Sequence, residues 1–152
     1  LYEKLLREAE QQGVDIYEVP MPKNIRGLYG DNVIWVNKKI ESQTEKACVL
    51  AEEIGHYHTS AGHILDQSCI LNRKQELRAR YWAYEKLVSF TSLIGAFESG
   101  VRNQFELAEY LNVTESFLGQ ALQYYKNKYG LYKKVDQYTI QFEPLLILEL
   151  CE

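Results

Sequence analysis

At 152 residues, 46% of them hydrophobic, the chain is long enough to bury a core and too short for two large independent domains. Its net charge of -4, with acids and bases interspersed, argues against a polybasic membrane patch or an extended nucleic-acid surface. Cys48, Cys69 and Cys151 are an odd, irregularly spaced set without a secretory leader, so a disulfide framework is not expected and a reducing, cytoplasmic setting is.

No apolar run is long enough to span a bilayer, so no membrane partner is expected. The opening Leu1, in place of Met, leaves room for residues upstream.

The first segment, Leu1 to Gln12, sets Leu1, Leu5 and Leu6 among charges and predicts an amphipathic helix ending near Gly13. Short strands follow at Ile16 to Met21, Ile25 to Tyr29 and Val33 to Asn37. The last two flank Gly30-Asp31-Asn32, residues that tolerate the positive φ of a tight hairpin.

Ser42 followed by Glu45 has capping-box spacing and predicts a helix start before Ala47-Cys48-Val49-Leu50-Ala51. That run is apolar on every side, so the helix is expected to be buried, with Glu52, Glu53 and His56 entering from the core. Buried carboxylates are costly unless paired or bound to metal. A further helix is expected from Asn72, with Gln75 as capping partner, toward Val88. On it Glu76 shares a face with Ala79, Ala83 and Leu87, small residues that allow close helix approach and aim the carboxylate inward.

Beyond Gly100, Phe105 to Leu111, the turn-like Asn112-Val113, the N-cap Thr114 and Phe117 to Tyr125 read as a helical hairpin. Tyr138 to Phe142 alternates like a strand until Pro144 interrupts it. The expected organisation is a core over residues 1–98, with the hairpin and terminal strand of 99–152 packed on it.

The chemistry gathers at Ala51-Glu52-Glu53-Ile54-Gly55-His56. Residues four apart share one side of a helix, so Glu52 and His56 can reach one cation, while Glu53 is rotated by about 100°. That offset suits a base acting on water. A third ligand from another helix would leave one position open, as catalytic zinc requires, and Glu76 is the candidate. Without such context, the string Glu-Glu-x-x-His is a solvated charged segment.

His56, His58 and His63 could instead form a separate cluster. His58 reads as a hydrogen-bonded core residue and His63 as a surface one, with an oxyanion contact as its alternative. Cys48 is expected to pack rather than ligate. Tyr57 and Tyr81 are expected to line the core, with donation to a tetrahedral intermediate as the alternative.

At Leu50 to Tyr57, at Glu76-x-x-Ala79 followed by Trp82-Ala83, and at the hairpin of Leu107 to Leu122, the chain resembles the ImmA/IrrE family of zinc-dependent peptidases. The likeness covers nearly the whole chain. It implies an α+β, minimal zincin-like fold, with a small antiparallel sheet packed on the active-site helix and a C-terminal helical subdomain.

It also implies a protein substrate, typically a helix-turn-helix repressor cut to release phage or mobile-element genes. By position, His56 and Glu76 would be metal ligands and Glu53 the general base. Glu52 stands where the His-Glu-x-x-His motif has its first imidazole.

Glu is an acceptable oxygen ligand for Zn2+, but two carboxylates with one imidazole neutralise a divalent ion. Slower hydrolysis and tolerance of Mn2+ or Fe2+ are therefore expected. The rival readings are a non-catalytic antirepressor and a DNA-binding regulator. The second is disfavoured because the presumptive recognition helix offers Glu115, Ser116, Gly119, Gln120 and Gln123 before its first base, Lys126.

Overall fold

The computed structural model describes residues 1–59 and 69–150, with the backbone alone for 69–72. The class is α+β, and the chain divides into two compact units, Leu1–Ala83 and Tyr84–Glu152.

The first unit opens with α1 (Tyr2–Gln11), which buries Leu5 and Ala9 and ends before Gly13 at φ 84°. β1 (Asp15–Val19), β2 (Gly27–Gly30) and β3 (Val33–Asn37) form a sheet of order β1-β3-β2. Its β2–β3 pairing is antiparallel, and Asp31 and Asn32 at φ 49° and 62° make the hairpin turn that their residue types favour. The β1–β3 pairing is parallel, so the sheet is mixed rather than antiparallel throughout. The reason is the connection of residues 20–26, which carries the chain back across the sheet and leaves β1 beside β3.

Asn37, at the end of β3, organises that connection. Its Nδ2 donates to the carbonyls of Met21 (3.2 Å), Pro22 (3.2 Å) and Ile25 (2.7 Å), and its Oδ1 accepts from the N–H groups of Met21 and Lys39. The side chain is almost fully buried, and its two bonds to Met21 satisfy groups that are buried with it.

α2 (Gln43–Thr59) starts as expected, with Ser42 Oγ accepting from the N–H of Glu45 at 3.2 Å. It packs on β2 and β3 and on α1. The apolar run Ala47 to Ala51 is buried throughout, opposite Ile34 and Val36 of the alternating central strand.

α3 (Cys69–Leu87) is helical from three residues before the expected start, so Asn72 lies inside it rather than at its cap. Ala79 and Ala83 on its inner face have no exposed surface.

The second unit holds the end of α3, then α4 (Phe90–Glu98), α5 (Gln104–Leu111), α6 (Glu115–Tyr129) and the antiparallel sheet β4-β5-β6 (Tyr132–Val135, Tyr138–Phe142, Leu145–Glu149). α4 lies in this unit, where it packs on α5 and buries Leu93 and Ala96. The hairpin turns at Asn112 in the left-handed region, and Thr114 Oγ1 accepts from the N–H of Phe117 at 3.0 Å. Ile140 and Phe142 of β5 complete this core with Leu118 and Tyr125, whose hydroxyl donates to the carbonyl of Val88 at 2.7 Å.

Candidate active site

α2 presents Glu52 and His56 one turn apart and Glu53 rotated from their line. All three are half-buried at the end of the apolar stretch, not enclosed in the core as the preceding turn led us to expect. Glu76 approaches from α3 with its side chain 58% exposed, so it lies on the rim, one turn beyond the buried Ala79. Its carboxylate still reaches inward. His56 Nε2 donates to Glu76 Oε1 at 3.2 Å, joining the two helices through an imidazole and a carboxylate.

Two glycines make this approach possible. A Cβ on Gly55 would fall on the carbonyl oxygen of Ala79, so α2 and α3 cross there backbone to backbone. A Cβ on Gly27 of β2 would lie 2.9 Å from Cγ of Glu53, so the missing side chain leaves room for that carboxylate. Tyr29, two residues further along β2, sets its ring parallel to the imidazole of His56, 5° between planes and 6.5 Å between centroids.

The charges follow from burial and crowding. Burial pushes Glu53 up to about 7, with Glu76 and Glu52 adding to the rise and His56 opposing it. Burial raises Glu52 too, with Arg80 pulling the other way. For His56, burial favours the neutral ring, but its hydrogen bond to Glu76 and the charges of Glu53, Glu76 and Glu52 together outweigh it and raise its pKa. The hydrogen bond to His56 holds Glu76 below the usual carboxylate range, against its burial.

Arg80 was not singled out from the sequence, although its spacing of four from Glu76 on one helix is a readable signal. Gly27 and Tyr29 meet the site through sheet-to-helix packing, which leaves no local pattern.

The alternative residues resolve as follows. His58 is exposed, not a core residue, because α2 has by then left the core. Its ring stacks on Trp82 at 4.7 Å. Tyr57 is half-buried, with its hydroxyl 3.4 Å from the carbonyl of Gln12, and Tyr81 is exposed rather than lining the core. Cys48 is buried and packs. His63 lies outside the described residues.

Among the described residues, no three His, Cys, Asp or Glu side chains converge closely enough to form a ready-made metal group. The donor chemistry fits a divalent cation all the same. An imidazole nitrogen and a carboxylate oxygen already meet, a second carboxylate lies one turn away, and the buried acids carry an excess of negative potential that a cation would relieve.

A small mixed sheet on a helix carrying Glu-Glu-x-x-His, with a Glu from the next helix, defines a protein of the metallopeptidase type. The model of the IrrE N-terminal-like domain, Peptidase M78, matches residues 9–123, well over half the chain, and the chain belongs to this ImmA/IrrE family. No curated protein and no solved structure matches it. Among the described residues, no helix is long and apolar enough to cross a membrane.

Proposed function

We propose that the chain is a metal-dependent endopeptidase that cleaves a helix-turn-helix transcriptional repressor in the cytoplasm and so relieves repression of phage or mobile-element genes. The observation that carries this reading is the meeting of His56 and Glu76 from two helices beside the half-buried Glu53, in a member of a peptidase family. His56, Glu76 and Glu52 would hold the cation, Zn2+ first and Mn2+ or Fe2+ as alternatives, and the ion would supply electrophilic polarisation of the scissile carbonyl. Glu53 would take the proton from the attacking water and pass it to the leaving amine.

A binding-only antirepressor is the second reading, favoured by Glu52, which weakens the site relative to two imidazoles. DNA binding by α6 has less support, because Lys126 and Lys128 are already paired with Glu143 and Glu85.

The decisive experiment incubates wild type and Glu53→Gln with a repressor encoded beside the gene. Cleavage should fall by roughly 10²-fold or more in the variant while metal content and repressor binding persist. If both relieve repression equally with the repressor intact, the binding-only reading replaces this one.

A further inference from the structure

The second unit carries a groove that the peptidase reading does not use. It is a partly open hollow of about 400 Å³, much of it continuous with solvent, and its apolar walls come from Leu93 and Phe97 of α4 and from Leu145, Leu146 and Ile147 of β6. Successive side chains of a strand point to opposite faces, so Leu145 and Ile147 share one face of β6 and Leu146 lies on the other, and the groove meets both.

β6 is an edge strand. Leu150 gives its N–H to Gln137, and by the antiparallel register Leu148 and Leu146 also face β5. The backbone N–H and C=O groups of Leu145, Ile147 and Glu149 therefore turn toward the open edge. Leu146 and Leu148 are about half exposed beside it.

The same groove has a cation in its wall. Arg102 Nη1 donates to the carbonyls of Phe97 (2.8 Å) and Val101 (2.9 Å), and its guanidinium lies 4.5 Å from the Phe97 ring. Glu106 accepts from the backbone N–H of Arg102, not from the guanidinium. Among the described residues no carboxylate pairs with that guanidinium, so its charge is fixed in place and open to a ligand anion.

An open strand edge, an adjoining apolar cavity and a pre-positioned arginine suit one occupant. We propose that the groove binds an extended segment of a partner protein in which an acidic residue neighbours a large apolar one. The segment adds as a strand to β6, its apolar side chain enters the cavity, and its carboxylate meets Arg102. This inference stands apart from the peptidase reading and survives its failure.

The test selects phage-displayed dodecapeptides on the full chain and measures the affinity of the enriched peptides by fluorescence anisotropy. Enrichment of an Asp or Glu beside a large apolar residue is expected, with slowed amide exchange at Ile147 and Glu149 in the complex. Arg102→Gln should weaken binding about tenfold or more. Because Arg102 also braces the loop before α5, the exposed Leu146→Asp serves as a second variant that leaves the core intact and should cause a similar loss.

The proposal is overturned if no acid-plus-apolar sequence is enriched, if the peptides bind wild type and both variants equally, or if protection appears away from β6. Binding of hexanoate at this groove without any enriched peptide would make it a small-molecule site and likewise overturn it.

Discussion

Glu53 is held in two minds by its surroundings: burial and neighbouring carboxylates favour its protonated form, while the proposed chemistry needs it ionised in turn. A carboxyl whose folded pKa is raised from its ordinary value of 4.5 to about 7 binds its proton more tightly in the folded state, so its contribution to stability falls as pH rises between those values. The metal-free protein should lose stability from pH 5 to pH 8, and Glu53→Gln should remove about 1 to 3 kcal/mol of that loss, read by denaturant titration at the two pH values. An equal loss in the variant would show that Glu53 is not buried as described.

At the neighbouring position, Glu52→His should tighten Zn2+ binding in calorimetry by restoring two imidazoles on one helix side. An unchanged or weaker affinity would remove Glu52 from the metal. Their placement on one helix, α2, was legible because i, i+4 spacing and helix context are local properties. The exposure of Glu76 and His58 was not, since it depends on where each helix leaves the core.

At the scale of elements, the crossing of α2 and α3 rests on Gly55 facing the carbonyl of Ala79. Gly55→Ala must push two backbones apart, so a cost of about 1 to 3 kcal/mol is expected in thermal or denaturant unfolding, together with loss of the His56–Glu76 contact. A neutral substitution would mean that the helices do not meet there.

The α5–α6 hairpin depends on a cap instead, and Thr114→Ala should cost about 1 kcal/mol. Elements with strong punctuation were readable: β3 and β5 fall on their expected residues, and Ser42 and Thr114 cap as their spacing implies. α4, β4 and β6 were not foreseen. α4 is short and mostly apolar, and the two strands take their partners from β5 rather than from any pattern of their own.

The whole molecule offers a built-in reporter, because both tryptophans, Trp35 and Trp82, lie in Leu1–Ala83 while Tyr84–Glu152 contains none. Tryptophan fluorescence therefore follows the unit that holds the candidate site. Zn2+ at 100-fold above its Kd should raise the stability of that unit by about 2.7 kcal/mol, and a chelator should reverse the gain. A fluorescence-monitored transition indifferent to Zn2+, Mn2+ and Fe2+ would count against a metal site in this chain. The division at Ala83 was hidden from sequence inspection because it falls inside a continuous helix, with no glycine, proline or polar linker to mark it.

Asn37 also has a bearing on how the protein breathes. One amide side chain engages five backbone groups, those of Met21, Pro22, Ile25 and Lys39, so much of the hold on the connection from β1 to β2 is gathered at one residue where a ladder would spread it over many. Such a segment opens in one cooperative step, and the amides of Met21 and Lys39 should exchange with solvent at a common opening rate. Asn37→Ala would shift both together. The same side chain holds Ile25, and the neighbouring Arg26 carbonyl accepts from the Asn37 N–H, so each opening also loosens the chain beside Gly27, against which Glu53 rests.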